Sequence, residues 1–358
     1  MIVINARFLT QRKTGVQQFA INLCRQLNKL RSDIVYIMPD REIEKSLEEE
    51  FKPKKVGKHT GHLWEQLELP IYLKKNGSPL LISFSGLSPL LYKNAIYTIH
   101  DMSLYFEPRW FKKAYRAIYK INYFFTSRLA HKIITVSQFS KSEIIKYLGC
   151  ANKKVEVIYN SFDNEMLVDS KVERSVKEHY FLTVGSIEPR KNLSRLINAF
   201  ASKEFESYKL VIVGDKGKVF STLNFESNNA ENVIFTGYVT EEELISLYKH
   251  ASFFIYPSVY EGFGIPPLEA MGMGCPVISS NQASMPEVCG NAAIYFDPYN
   301  INDIKRAIFD AVHMDEITRS VLIKNGFKRV AAFNTVDEAA KLNKLLMVQL
   351  ANEDITIK

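Results

Sequence analysis

The stretch from Ala251 to Ser280 constrains the fold of this chain more than any other. It opens with a short apolar run, 252–256, and closes with a second apolar segment, 276–278. Between them, a loop with two glycines leads to a pair of prolines and then to good helix formers, which is typical of a helix N-terminus. The stretch therefore predicts a strand, a glycine loop, a helix and a parallel strand. In such a βαβ unit a ligand binds beyond the carboxyl end of the first strand, against the helix N-terminus.

Two carboxylates lie in this predicted ligand site, on Glu261 and Glu269. Because carboxylates repel phosphate, we expect them to bind hydroxyl groups, as in a sugar or a ribose. The backbone N–H groups of Gly262, Phe263 and Gly264 would then face an anionic part of the ligand. Taken alone, Glu269 could equally be a solvated residue that the helix dipole favours.

Alternating predicted strands and helices continue along the chain, without an internal repeat. At 358 residues the chain is too long for one ordinary core. We predict an α/β fold with two doubly wound, Rossmann-like domains, 1–171 and 172–335, that face a cleft. A final amphipathic helix, 336–358, is expected to cross back to the first domain.

Composition excludes several classes of protein. With 46% hydrophobic and 24% charged residues, and no apolar run near the ~20 residues of a membrane span, the sequence is that of a soluble globular protein. We recognise no signal peptide at the N-terminus. The four cysteines are far apart and form no C-x-x-C pair, so we expect reduced thiols in a cytoplasmic protein.

The charge of the chain is concentrated in its first half. Residues 1–170 hold 26 Lys and Arg against 16 Asp and Glu, whereas the remainder holds 20 against 23. A basic first half suits an anionic acceptor or an anionic membrane leaflet, with nucleic acid as the competing interpretation. Nucleic acid is disfavoured, because the basic residues form no motif that reads it.

Residues 106–132 combine seven basic and eight aromatic side chains with a single acidic one. A helical wheel gives this segment a basic face and an apolar face: Lys113, Arg116 and Lys120 against Ala114, Ile118, Ile121 and Phe125. Two interpretations stay open. The helix could lie on anionic lipid at the inner face of the cell membrane, or pack on its own sheet with a solvated basic face.

Three further positions fit a ligand site. Gly15 lies between a loop and a predicted helix, as in a phosphate-cradling turn, although most such glycines are ordinary caps. His100 follows a predicted buried strand and would face the crevice there, although a lone histidine is more often structural. Arg190 and Lys191 open a helix after Gly185, where their charges and the helix dipole would together suit a diphosphate.

The segment from Glu261 to Gly272 closely resembles the E-x7-E signature of retaining GT-B glycosyltransferases of family 4. The resemblance extends over nearly the whole chain. It includes the I-H-D pattern at His100, S-x-x-S at 137–140, the G-x-x-x-x-x-K-N element at 185–192, and segment 64–70 of a mannosyltransferase-like branch. In one departure, Ser161 stands where the family usually has glycine in its I-x-N-G-V-D crossing.

This resemblance implies roles for individual residues. His100 would contact the transferred sugar, Asp101 the acceptor, and Arg190 and Lys191 the leaving diphosphate. The implied catalytic residues are His100, Arg190, Lys191 and Glu261. The implied donor-binding residues are Gly15, Gly185, Ser186, Arg190, Lys191, Gly214, Val239, Glu261, Gly262, Phe263, Gly264, Ile265 and Glu269. No protein nucleophile is established in the family. The chain lacks a D-x-D pair, so we expect neither a metal nor another cofactor.

The implied function is transfer of a hexose with retention, with mannose from GDP-mannose as the first expectation. The acceptor would be a lipid-linked surface polysaccharide, so the partners are a nucleotide-sugar donor and a glycan or lipid-linked glycan, without nucleic acid. A rhamnosyl- or other hexosyltransferase that uses a dTDP-, GDP- or UDP-sugar is the alternative. From another class, a non-catalytic nucleotide-sugar-binding protein also fits.

Overall fold

The computed structural model describes residues 1–87, 89–162, 176, 178–214 and 232–356. The chain divides into two compact units, one of Met1–Asn160 with Thr335–Lys358 and the other of Ser161–Asn334. The predicted boundary between residues 171 and 172 lies outside the described residues.

In the first unit, the described residues form a sheet of seven strands. These are β1 (Ile2–Asn5), β2 (Ile34–Met38), β3 (Lys54–Lys55), β4 (Leu80–Ser83), β5 (Ala95–Thr98), β6 (Lys132–Thr135) and β7 (Val155–Val157). They pair in parallel in the order β3-β2-β1-β4-β5-β6-β7. The central strands are buried along their whole length, as in a sheet with both faces covered.

Along the described sequence, seven helices of this unit lie between successive strands. They are α1 (Gly15–Leu30), α2 (Lys45–Phe51), α3 (Gly61–Leu63), α4 (Leu69–Lys75), α5 (Ser103–Phe106), α6 (Lys113–Leu129) and α7 (Gln138–Leu148). A π-helical turn, Trp64–Glu68, joins α3 to α4. Ser137 caps α7 by accepting a hydrogen bond from the Ser140 backbone N–H at 2.9 Å.

The second unit has a parallel sheet of six strands within its described part. The strands are β8 (Tyr180–Val184), β9 (Lys209–Val213), β10 (Val233–Gly237), β11 (Phe253–Tyr256), β12 (Val277–Ser280) and β13 (Ala293–Phe296), in the order β10-β9-β8-β11-β12-β13. Its helices are α8 (Leu193–Phe200), α9 (Glu241–His250), α10 (Ile265–Gly272), α11 (Met285–Cys289), α12 (Ile301–Val312) and α13 (Glu316–Ala332). The predicted fold of two doubly wound parallel sheets is confirmed.

Each sheet has one point at which the order of the strands reverses. This switch point lies between β1 and β4 in the first unit and between β8 and β11 in the second. In open parallel sheets, ligands bind outside the carboxyl ends of the strands at such a point. Functional residues are therefore expected at the two switch points.

The last helix, α14 (Thr335–Thr356), belongs to the first unit and packs against α1. Arg31 Nη1 donates a hydrogen bond to Asn343 Oδ1 at 3.1 Å, and the Tyr159 backbone N–H donates to Glu338 Oε2 at 2.9 Å. These contacts connect α14 to the end of α1 and to the segment that follows β7.

The polarity of α6 is the reverse of an ordinary surface helix. Its buried residues are polar: Asn122, Thr126 and Ser127. In contrast, Ile118 is 54% exposed and Ile121 is 55% exposed. The apolar face of this helix is thus not covered by its own sheet. Among the described helices, none is long and apolar enough to span a bilayer.

Candidate functional site

Two cations and one carboxylate meet at the switch point of the second unit. Arg190 and Lys191 lie in a 3-10 turn that follows β8, and Glu261 lies in the loop that follows β11. Lys191 Nζ donates to Glu261 Oε1 at 2.7 Å, and Arg190 Nη1 donates to Glu261 Oε2 at 3.1 Å. The structure therefore brings together three of the four residues that the sequence analysis assigned to catalysis.

Burial and charge determine the protonation of this cluster. Lys191 is 9% exposed and Glu261 is 6% exposed. Burial by itself raises the pKa of Glu261, but the charges of Lys191 and Arg190 together outweigh it and lower this pKa to about 2. Burial also lowers the pKa of Lys191, and the Glu261 carboxylate opposes that fall. Glu261 is therefore ionised at neutral pH and holds both cations in place.

Two neighbours of the cations were missed by the sequence analysis. The Lys191 ammonium also donates to the Tyr256 hydroxyl at 2.7 Å, and Arg190 Nε donates to Glu188 Oε2 at 2.7 Å. Glu188 in turn accepts a hydrogen bond from Ser186 Oγ at 2.8 Å. Glu188 was recognisable from its spacing of two residues from Arg190, and Tyr256 from its position at the carboxyl end of a strand.

Glu269 lies half-buried in the second turn of α10 and accepts a hydrogen bond from the Tyr248 hydroxyl at Oε2, at 2.7 Å. Tyr248 is completely buried in α9. It fixes the orientation of the carboxylate. Nothing local in the sequence signals this contact, because 21 residues separate the two side chains.

The loop before α10 is fixed by a buried serine. Ser284 Oγ lies 3.0 Å from the Glu261 carbonyl oxygen and 2.8 Å from that of Phe263, and these two acceptors share its single hydroxyl hydrogen. Gly264 precedes the first residue of the helix, Ile265. The glycine loop therefore has a defined path from β11 to the helix N-terminus, as the sequence predicts.

The glycines at the ends of β8 and β9 approach each other closely. A Cβ atom on Gly214 would lie 2.0 Å from the carbonyl oxygen of Gly185, so only glycine fits there. Gly185 in turn packs beside Lys191, whose Cε would lie 3.3 Å from a Cβ at that position. The Gly214 backbone N–H donates to the Gly237 carbonyl at 3.0 Å, two residues before the half-buried Val239. Residues 215–231, which follow Gly214, are outside the described part of the chain.

The other predicted site residues belong to the first unit. Gly15 is the first residue of α1 and is exposed. His100 follows β5, and its Nε2 pairs with the Phe84 carbonyl at 2.7 Å. Burial lowers the pKa of His100, so the ring is neutral, Nε2–H donates to that carbonyl, and Nδ1 is the acceptor nitrogen. Asp101 Oδ1 accepts hydrogen bonds from the backbone N–H and the hydroxyl of Ser103, at 2.9 and 2.6 Å. This carboxylate oxygen therefore has a local structural role at the start of α5.

Positive charge at the switch point of the second unit comes from Arg190 and Lys191. Within the described ranges, no three His, Cys, Asp or Glu side chains are grouped so that they could coordinate a metal ion.

Comparison with known sequences assigns the chain to a family. The family described as "Glycosyltransferase Family 4" matches residues 13–165, and "Glycosyl transferases group 1" matches residues 168–329. O-antigen chain mannosyltransferase B of Escherichia coli is 31% identical over 256 residues, which cover 68% of this chain and 67% of that protein. The chain belongs to glycosyltransferase family 4.

Other family 4 relatives differ in how much of their length they share with it. O-antigen chain mannosyltransferase RfbU of Salmonella typhimurium is 34% identical over 239 residues, 65% of this chain and 64% of that protein. The serotype-specific mannosyltransferase WbdA of Escherichia coli is 30% identical over 244 residues, which cover 63% of this chain. The matched part is only 29% of WbdA.

Solved structures confirm the GT-B fold of this family 4 member. Sucrose-phosphate synthase from Thermosynechococcus elongatus matches with a TM-score of 0.74 at 18% identity, over 98% of this chain and 99% of that one. Anabaena Alr3699/HepE in complex with UDP-glucose matches with a TM-score of 0.75 at 16% identity, over 97% of this chain and 99% of that one. At these identities the comparison concerns the fold alone.

Proposed function

We propose that this family 4 glycosyltransferase moves mannose from GDP-mannose, with retention, onto a lipid-linked glycan of a surface polysaccharide. The observation that carries the proposal is the cluster of Arg190, Lys191 and Glu261 at a switch point, beside the N-terminus of α10. The names of the relatives support mannose as the sugar and an O-antigen chain as the product, since mannosyltransferase B and RfbU are both named O-antigen chain mannosyltransferases.

The diphosphate of the donor is the ligand that this cluster suits. Lysine has three N–H donors and arginine has five, so each cation can keep its bond to Glu261 and offer others to phosphate oxygens. The positive end of the α10 dipole adds to their charge. Glu261 has a second task in this proposal, because a carboxylate beside the diphosphate can also accept hydrogen bonds from hydroxyl groups of the sugar.

The reaction breaks the bond between C1 of the sugar and the phosphate oxygen. The electron pair stays on that oxygen, the acceptor hydroxyl attacks C1 from the same face, and its proton passes to the leaving phosphate. Arg190 and Lys191 stabilise the charge that develops there, so the reaction needs neither a metal nor a protein nucleophile. A neutral His100 offers Nδ1 to a sugar hydroxyl, and Glu269, oriented by Tyr248, binds the ribose.

A donor screen tests this proposal. The melting temperature is measured with GDP-mannose, UDP-glucose and dTDP-rhamnose, and nucleotide release is measured with octyl α-D-mannoside as acceptor, with and without EDTA. Of the three donors, we expect only GDP-mannose to raise the melting temperature. At 100 times its Kd, GDP-mannose should increase the free energy of unfolding by about 2.7 kcal/mol. Release should be unaffected by EDTA. Stabilisation by dTDP-rhamnose would favour the rhamnosyl alternative, and binding without turnover would favour a non-catalytic protein.

We also propose that α6 contacts an anionic leaflet at the inner face of the cell membrane. Its outward face is apolar at Ile118, Ile121 and Phe125, all exposed. Exposed basic side chains lie near both ends of the helix: Arg109, Lys112 and Lys113 before or at its start, and Arg128 in its last turn. An apolar face with basic residues near its ends suits anionic lipid better than water.

Vesicle co-sedimentation tests this contact. The wild-type protein should sediment with phosphatidylglycerol vesicles and much less with phosphatidylcholine vesicles. Ile118→Asp should reduce sedimentation, whereas Ile317→Asp, at an isoleucine of the second unit that is 80% exposed, should not. Equal sedimentation with both vesicles, or equal effects of the two substitutions, would contradict the proposal.

A further inference from the structure

A buried carboxylate lies at the switch point of the first unit, where the functions proposed above do not use it. Glu65 is completely buried. Its Oε1 accepts from Asn5 Nδ2 at 3.1 Å, and its Oε2 accepts from Arg7 Nη1 at 2.9 Å. The same Oε2 lies 3.0 Å from His62 Nδ1. Three side chains therefore converge on one carboxylate: two from the end of β1 and the turn after it, and one from the helical turn that precedes Glu65.

The strands beside this cluster are those that flank the switch point. Asn5 is the last residue of β1, and its Nδ2 also donates to Ser83 Oγ, at the end of β4, at 3.1 Å. The loop after β4 closes over the cluster at Gly86, which has a φ of +84°. A Cβ there would lie 2.3 Å from Glu65 Oε1 and 2.9 Å from Arg7 Nη1. Only glycine fits at this position, so the loop and the cluster form one unit.

The backbone that carries Glu65 is unusual. Glu65 lies in the π-helical turn Trp64–Glu68, a geometry that is frequent at functional sites. The turn is anchored by Trp64 Nε1, which donates to the Val56 carbonyl at 2.7 Å. A buried ion pair contributes little net stability, because the desolvation of the charges offsets their attraction. Stability alone is therefore a weak reason for this arrangement.

The carboxylate fixes the tautomer of His62. Since Glu65 accepts at Oε2, Nδ1 of His62 carries a hydrogen, and Nε2 has the lone pair in the neutral ring. The His62 side chain is 44% exposed, so the ring reaches solvent from a buried anchor. On one side it packs against Tyr119 of α6 in a T-shaped arrangement, with ring centroids 6.1 Å apart and an interplanar angle of 87°. Nε2 is thus an oriented acceptor for a hydroxyl hydrogen.

A second histidine–glutamate pair nearby lacks these features. His59 Nδ1 lies 3.0 Å from Glu68 Oε1, but Glu68 otherwise accepts from the backbone N–H groups of Lys58 and His59. Those contacts close a local loop and do not involve the switch point. The His59–Glu68 pair therefore stabilises a loop, whereas the His62–Glu65 pair lies at the carboxyl edge of the sheet.

We propose that His62 and Arg7 form the subsite that binds a hydroxyl group of the acceptor sugar, with Glu65 as the positioning residue. The inference rests on the proposed function, in which the acceptor is a glycan. His62 Nε2 accepts the hydrogen of the hydroxyl group, and the Arg7 guanidinium donates toward the hydroxyl oxygen. Glu65 touches no substrate and acts by holding both side chains.

Two substitutions at His62 separate this role from a structural one. In His62→Asn, an amide nitrogen takes the place of Nδ1 and keeps the bond to Glu65, but Nε2 is lost. In His62→Gln, the amide reaches the place of Nε2 and the bond to Glu65 is lost. His59→Asn is the matched control. Affinity for octyl α-D-mannoside is measured by saturation-transfer NMR, and affinity for GDP by calorimetry.

We expect His62→Asn to weaken mannoside binding about three- to ten-fold, the scale of one lost hydrogen bond. His62→Gln should retain part of the affinity, His59→Asn all of it, and GDP binding should not change. Glu65→Gln should weaken mannoside binding as much as His62→Asn does. Unchanged mannoside affinity in His62→Asn would overturn the inference. So would a wild-type protein that binds GDP but not the mannoside. If GDP does not bind, the proposed function fails, while the mannoside titration still decides the subsite.

Discussion

Lys191→Met removes a charge from the cluster of Arg190, Lys191 and Glu261 while approximately keeping the length of the side chain. In the structure the ammonium makes two hydrogen bonds, to Glu261 Oε1 and to the Tyr256 hydroxyl, both at 2.7 Å. Loss of one donor to a developing oxyanion costs about 100- to 1,000-fold in rate, or about 2.7–4 kcal/mol. We therefore expect kcat/KM for mannosyl transfer to fall by at least ~100-fold. Breaking a buried ion pair also destabilises the fold, by up to about 3–5 kcal/mol, which Arg190 reduces because it stays on Glu261.

A double variant separates the two effects. Lys191→Met with Glu261→Gln also removes the buried carboxylate that has lost one of its two cations, so the melting temperature should recover toward that of the wild type. Activity should not recover, because the cation that stabilises the leaving group is still missing. Transfer is followed by GDP release, and stability by thermal unfolding of the same samples. Near-wild-type turnover in Lys191→Met, or recovery of activity with stability in the double variant, would refute the reasoning.

Three further predictions follow from contacts of the second unit. Tyr248→Phe removes a hydrogen bond to the Glu269 carboxylate, so GDP affinity should fall about ten-fold while pyrophosphate affinity stays the same in calorimetry; an equal loss for both ligands would contradict the ribose role. Gly214→Ala places a Cβ 2.0 Å from the Gly185 carbonyl oxygen, so the melting temperature should fall markedly, and an unchanged value would show that the two strand ends can separate. The pKa of Glu261 is lowered from 4.5 to about 2, so its ionised form contributes stability above about pH 4.5 that is lost as the pH falls toward 2. In urea unfolding, the stability difference between wild type and Glu261→Gln should therefore shrink over that range, and a constant difference would contradict the pairing.

Local patterns in the sequence predict much of the second unit. The apolar run before Glu261, the paired prolines and the second apolar segment became β11, α10 and β12, because each signal acts within a few residues. The basic pair after Gly185 was likewise found from its position at a strand end. What could not be predicted is that Arg190 binds Glu261, since 71 residues separate them and only the order of the strands brings them together.

The first unit shows a different limit. Periodicity gives α6 a polar and an apolar face, but it does not say which face the protein covers. Here the buried positions include Asn122 and Thr126, which line a small cavity together with Thr98 and Ser83. The buried cluster at Glu65 was also hidden, because a glutamate inside a helical segment is ordinarily exposed. Two of its partners, Asn5 and Arg7, are 60 and 58 residues away in the sequence.

The most direct test of the central claim is a crystal structure of the protein with GDP. The account predicts that diphosphate oxygens lie about 2.7–3.2 Å from Lys191 Nζ and from the Arg190 guanidinium, beside the N-terminus of α10. A complex in which both cations contact only protein carboxylates, with the diphosphate bound elsewhere, would contradict it.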